Sequence, residues 1–222
     1  MFVMRKVYCV ALALAYIFGA KGVVNAQENT VAVDLGLSVK WASCNIGAKT
    51  PEGYGDYYAW GETVPKKNFT WASYKWCKGS YNTITKYCTA REYGVVDNRS
   101  VLEAADDVAH VKLGGNWRMP TNKEWDELIS KCSWKWTKKN GIDGYLVISK
   151  KNKASIFLPA AGFWEASDIY PGSTGIYWSS SLNSSFPGIA MFTYFDNGGF
   201  IGYYGEAIGG RYSGCSVRAV KK

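Results

Sequence analysis

Twelve residues, Gly114-Gly115-Asn116-Trp117-Arg118-Met119-Pro120-Thr121-Asn122-Lys123-Glu124-Trp125, constrain the fold of this chain more than any other stretch. Two glycines stop what precedes them, an aromatic turn follows, and the chain then enters a helix with a well-marked start. Thr121 can cap that helix, and Glu124 three residues later can close a capping box. Trp125, Leu128, Ile129 and Cys132 then recur at helical spacing. The predicted helix, Thr121 to Cys132, thus carries one apolar stripe.

The flanking segments place this helix in a loop-rich α+β domain with no internal repeat. Val31 to Cys44 alternates as one or two strands, with Trp41 on the apolar side, and Asp56 to Trp60 reads as a short strand. Residues 61 to 100 scatter Gly, Pro, Asn and Thr among isolated aromatics, which predicts long ordered loops. A first helix is expected at about Leu102 to Lys112, with Ala104, Ala105, Val108 and Val111 buried and Glu103, Asp106 and Asp107 in solvent. Strands are expected at Trp134 to Lys138, Tyr145 to Lys150 and Ala154 to Leu158, joined by hairpin turns at Asn140-Gly141 and Lys151-Asn152-Lys153.

Residues 1–26 have the parts of a secretory leader: Arg5 and Lys6, an apolar run from Val7 to Phe18, and Val24-Asn25-Ala26 as a cleavage site. One domain, 27–222, is expected to follow, exported to the periplasm, the cell surface or the medium. No later apolar run approaches the ~20 residues of a spanning helix, so no membrane span is expected after leader removal. The leader holds three basic residues and no acid, so its removal lowers the formal charge from +8 to +5. That excess is scattered over turns and ends, which argues against a nucleic-acid partner. Five cysteines remain: Cys44, Cys77, Cys88, Cys132 and Cys215. An odd count leaves at least one thiol unpaired, and Cys77 with Cys88 is a possible loop-closing disulfide. Cys44 and Cys132 read as buried thiols.

Catalytic chemistry finds little to build on. His110 is the sole histidine, on a predicted helix with no nucleophile motif beside it. Asp106-Asp107 and Asp126-Glu127 point to different sides of their helices, whereas a general acid and base must face one bond. No His or Cys cluster and no calcium loop is present, so neither a metal nor any other cofactor is expected. Arg118 is expected to pair internally, with Glu62 or Glu124. Trp41, Trp60, Trp117, Trp125 and Trp178 read as structural, bulky rings filling space beside glycines. Cys215 reads as a small buried residue opening the last strand.

The final third is different in kind. From Ala160 to Lys222, 13 residues are aromatic. Phe195-Asp196-Asn197-Gly198-Gly199-Phe200 reads as a hairpin around a two-residue Asn197-Gly198 turn. Counting outward from that turn pairs Tyr194 with Ile201 and Phe192 with Tyr203 on an exposed face, and assigns Met191, Thr193, Phe195, Phe200 and Tyr204 to the core. Rings with polar tips give contact area at low entropic cost. The candidate ligand-contacting residues are therefore Phe186, Phe192, Tyr194, Asp196, Tyr203, Glu206 and Arg211.

Four separated motifs, in order, carry a resemblance. They are Ala32-Val33-Asp34-Leu35-Gly36-Leu37-Ser38-Val39-Lys40-Trp41-Ala42; Gly55-Asp56-Tyr57-Tyr58-Ala59-Trp60-Gly61-Glu62; Trp117-Arg118-Met119-Pro120-Thr121; and Tyr177-Trp178-Ser179-Ser180-Ser181 with Ser216-Val217-Arg218. From about Val31 to Val220 the chain resembles the Fibrobacter succinogenes major paralogous domain. The resemblance implies a C-type-lectin-like fold, two helices packed on a twisted, mostly antiparallel sheet with long ordered loops. It also implies a more distant similarity to formylglycine-generating enzymes and to the diversified binding proteins of retroelement systems. The former require a closely placed cysteine pair near the C-terminal end, where this chain has only Cys215. The expected function is non-catalytic binding of a glycan or protein ligand through the C-terminal strands and loops. A structural or adhesive part in an extracellular assembly is the second expectation, and an enzyme of the formylglycine-generating type the third.

Overall fold

The computed structural model describes residues 30–169, 171–202 and 210–222. The expected leader, and the candidates Tyr203 and Glu206, lie outside the described residues. The architecture is mixed α and β. In chain order the strands are β1 (Ala32–Val33), β2 (Lys40–Asn45), β3 (Cys132–Lys139), β4 (Ile142–Ser149), β5 (Ser155–Pro159), β6 (Trp164–Glu165), β7 (Asp168–Ile169), β8 (Thr174–Leu182), β9 (Ala190–Asp196), β10 (Ile201–Gly202) and β11 (Arg218–Lys221). Helices α1 (Val108–Leu113) and α2 (Asn122–Lys131) lie between β2 and β3. Among the described residues no helix is long and apolar enough to cross a membrane.

Helix α2 forms as its sequence dictates. The Thr121 hydroxyl accepts from the Glu124 amide at 3.3 Å, and the Glu124 carboxylate accepts from the Thr121 amide at 2.8 Å, which closes the capping box. Its buried stripe is Trp125 and Leu128, with Cys132 buried just beyond. The chain then runs into an antiparallel meander, β3-β4-β5. Asn140 and Gly141 join β3 to β4 with φ of 47° and 84°, the paired left-handed conformation a two-residue hairpin requires.

Helix α1 departs from the sequence reading. Ala104–Asp106 form a 3-10 turn, the α-helix begins only at Val108, Ala104 and Ala105 are exposed, and Val111 is 41% exposed. Asp106 and Asp107, expected in solvent, are both buried. The reason is that their carboxylates are consumed by the fold. Asp107 accepts from the Ala109, His110 and Met119 amides, at 2.9, 3.1 and 2.8 Å. Asp106 accepts from Lys86 Nζ at 2.6 Å and the Tyr87 hydroxyl at 2.7 Å. A carboxylate capping a helix start satisfies donors that would otherwise be orphaned, and this outweighs the periodicity that would face it outward.

A second sheet, β10-β9-β8, and a third, β1-β2-β11, complete the scaffold, with a two-stranded β6-β7 ribbon beside them. Strand β8 is covered on both faces and joins the two main core clusters. Ile176 and Trp178 pack with Trp60, Tyr58, Met119 and Val217. Tyr177 packs on the other side with Trp41, Trp125, Leu158 and Phe195. Trp41, Trp60, Trp125 and Trp178 are thus core, as expected. Arg218 of β11 is fully buried, and its guanidinium donates to Asn45 Oδ1 and to the carbonyls of Ala42, Ser43 and Phe157 at 2.8 to 3.0 Å. It locks the β1-β2-β11 sheet to β5. Burial pulls its pKa below the ordinary arginine value.

Candidate functional site

The C-terminal hairpin differs in register from its sequence prediction. Phe195 pairs with Ile201 and Tyr194 with Gly202. The Asp196 amide donates to the Phe200 carbonyl at 3.1 Å. The loop therefore has three residues, Asn197 to Gly199, and of these only Gly199 has positive φ, at 94°. Asp196 sets this length, because its Oδ1 accepts from the Gly198 and Phe200 amides at 2.9 and 3.1 Å. The one-residue shift turns Phe200 outward, 42% exposed, where the sequence placed it in the core.

Other candidates also move. Phe192, expected on an exposed face, is 5% exposed and packs edge-to-face on Trp178 with centroids 6.1 Å apart. Both faces of β9 are covered, which the alternation reading did not allow for. Tyr194 is half-buried, 5.8 Å from the Phe200 ring, its hydroxyl 3.3 Å from Asp196 Oδ2. Phe186 is 42% exposed. Cys77 and Cys88 are both free thiols and form no disulfide; they point instead at the Trp71 and Ala90 carbonyls, at 3.0 and 3.1 Å.

Arg211, expected at the edge of a ligand surface, is fully buried. Its guanidinium donates to the Tyr74 hydroxyl (2.7 Å) and to the carbonyls of Tyr87 (2.7 Å), Pro187 (3.1 Å) and Lys86 (2.8 Å). It lies 4.9 Å over the Trp60 ring and 5.3 Å over Tyr74. The planar fork thus gathers three chain segments, around 74, 86–87 and 187, that no strand joins. Arg211 builds the surface; it does not line it.

The surface so built is made of residues the sequence reading passed over. Trp71, on a 3-10 turn capped by Thr70, lies 5.0 Å from the Tyr212 ring at an interplanar angle of 57°. Trp71 and Tyr93 both abut Gly188, where an added Cβ would sit 3.8 and 3.6 Å from their ring atoms. Tyr93 in turn meets Tyr81, centroids 6.3 Å apart at 73°. At the other end the Tyr212 hydroxyl is 3.4 Å from Glu165 Oε1. Burial and that carboxylate raise the Tyr212 pKa. Tyr81 is 56% exposed, and Trp71, Tyr93 and Tyr212 are half-buried. The only sequence signal for Trp71, Tyr81 and Tyr93 was their isolation among loop residues between 61 and 100, while Tyr212 was one of the aromatics of the final third.

Arg118 is paired internally, with Glu124. Arg118 forks onto Glu124 at 2.8 and 2.5 Å and donates to the Met119 carbonyl at 3.0 Å. Glu62, the other partner considered, takes Lys66 and the Lys75 amide instead. Half-buried Trp117 carries Lys221 Nζ 4.6 Å over its ring. A cleft of about 510 Å³ opens here beside Asp107, His110, Asn116, Trp117 and Arg118. No serine, threonine or cysteine lines it, and His110 Nδ1 faces the Trp117 carbonyl at 3.3 Å. Cys215 is buried, its pKa raised by desolvation, the opposite of an activated thiol. Among the described residues no three His, Cys, Asp or Glu side chains gather as a metal site would need. No family model, curated protein or solved structure matches the chain.

Proposed function

We propose that the protein is an exported, non-catalytic ligand-binding domain with a C-type-lectin-like fold, a member of the Fibrobacter succinogenes major paralogous domain family. Its ligand is a glycan or a protein, held on the face built by the C-terminal loops together with the long segment 61–100. One observation carries this reading. The buried Arg211 fork ties three irregular segments together, and these segments carry exposed Tyr81 and Phe186 with half-buried Trp71, Tyr93 and Tyr212. Loops held on a rigid scaffold are where binding residues concentrate. Tyr and Trp supply contact area with few rotatable bonds to freeze.

The test uses residues 27–222, screened on glycan and extracellular-protein arrays, with mass in solution measured in parallel. A ligand bound by the parent and lost in Phe186→Ala and Tyr212→Ala, both with unchanged melting temperature, supports the reading. A monomer that binds nothing on either array sinks it. A stable oligomer whose interface protects Phe186 and Tyr212 favours the structural or adhesive role instead.

A further inference from the structure

Beyond the loop face, we propose that the cleft beside Trp117 and Arg118 is a second binding site, which takes the carboxylate of a small ring-bearing organic acid. Arg118 carries the argument. The end-on edge of its guanidinium faces Glu124, with Nη1 and Nη2 each donating to one carboxylate oxygen, and Nη1 also donates to the Met119 carbonyl. The side-on edge, Nε–H beside the outer Nη2–H, takes no partner among the described residues. Because the side chain lines the cleft and is 35% exposed, this edge is the one a ligand reaches. Two parallel N–H groups on a planar fork match the two oxygens of a carboxylate. The one acidic residue lining the cleft, Asp107, is buried, and its carboxylate is spent on three backbone amides. Leu102, Ala104 and half-buried Trp117 supply apolar wall, and His110 and Asn116 supply polar groups. A volume of about 510 Å³ suits a small molecule.

The strands beside the cleft add positive charge. Lys221 of β11 stands directly opposite Lys40 of β2, a placement that like charges make unfavourable. Lys221 Nζ lies 4.6 Å over the Trp117 ring, and Lys222 lines the cleft itself. Among the described residues no acidic side chain forms an ion pair with any of these three lysines. An anion held by Arg118 relieves their repulsion.

The experiment titrates ¹⁵N-labelled residues 27–222 with sodium glucuronate, sodium benzoate, glucose and inorganic phosphate, following amide shifts by NMR. At least one carboxylate is expected to shift the amides of residues 114–118 and 221–222 saturably, with glucose silent. A response to glucuronate alone identifies a sugar acid, and one to benzoate alone an aromatic acid. Arg118→Lys keeps a charge facing Glu124 but has no second edge, and is expected to weaken binding about tenfold. Lys221→Gln leaves the Arg118–Glu124 pair intact and is expected to weaken it about threefold. Lys135→Gln, on β3, is expected to change nothing. No saturable shift with either carboxylate, equal shifts with glucose, or a response to phosphate alone overturns the site. So does unchanged affinity in both Arg118→Lys and Lys221→Gln; where Arg118→Lys fails to fold, unchanged affinity in Lys221→Gln alone overturns it. The cleft shares no residue with the loop face, so none of these results bears on the glycan or protein reading.

Discussion

Replacing Arg211 by methionine tests how the loop face is held. Methionine keeps most of the volume and removes the guanidinium, leaving the carbonyls of Lys86, Tyr87 and Pro187 and the Tyr74 hydroxyl without their donors. Each such bond from a charged donor contributes roughly 1.5 to 3 kcal/mol net, and a large part is recovered because a buried charge no longer needs desolvating, so about 4 kcal/mol is expected. Against a total of roughly 5 to 15 kcal/mol this is a large fraction. It corresponds to a fall in Tm of about 10 °C for a domain of this size. Urea melts followed by tryptophan fluorescence give the free energy, and hydrogen exchange gives its location. Amides near residues 60, 74, 87 and 188 should lose protection before those of β3 to β5. Arg99→Met provides the surface comparison and should cost under about 0.5 kcal/mol. A loss below about 1 kcal/mol in Arg211→Met, or one spread evenly over the domain, would refute the assignment of this arginine as the tie between the loops.

Glu124→Gln keeps the capping geometry of α2 but removes the charge facing Arg118. Burial alone would raise the Glu124 pKa, but the Arg118 fork and the Thr121 amide more than offset it and hold the carboxyl below the ordinary value. A depressed pKa means stability present above the unfolded carboxylate range and lost as pH falls through the folded value. The variant should therefore be less stable by about 1 kcal/mol at pH 7, a modest figure because Arg118 is partly exposed. That deficit should close in acid; a constant gap from pH 7 to below the carboxylate range would contradict it. Gly175→Ala should be far worse, because its Cβ would enter the Phe195 ring space in a core already closed on both sides of β8. About 3 kcal/mol is expected by chemical denaturation, and a near-neutral result would mean that Phe195 can move freely.

What the sequence disclosed was mostly local. The capping box at Thr121 and Glu124, the Asn140-Gly141 hairpin and the meander after it depend on neighbours within a few residues, and all were legible. So were Trp41, Trp60, Trp125 and Trp178 as core and Glu124 as a partner for Arg118. The C-terminal hairpin was legible as a hairpin but not in register, because the Asp196 side chain rather than the Asn-Gly pair chooses the loop. Arg211 and Phe192 were misplaced because their surroundings come from distant segments. Arg211 reaches back 137 residues to Tyr74. The Trp71–Tyr212 contact likewise joins residues far apart in sequence.

The β1-β2-β11 sheet joins the early and late parts of the described chain, with Arg218 bonded to Asn45 across 173 residues of sequence. Such pairing gives the domain a high contact order, so its rate-limiting step should be the arrival of the last strand rather than the formation of the meander. It also brackets β2 between the first and last strands, so that Val33 and Val220 flank Trp41 from opposite sides. A circular permutant that joins the two outer strands and opens the chain at the exposed Lys151–Lys153 turn should therefore fold no faster, because β4 and β5, now a hairpin, would then have to pair from opposite ends of the chain.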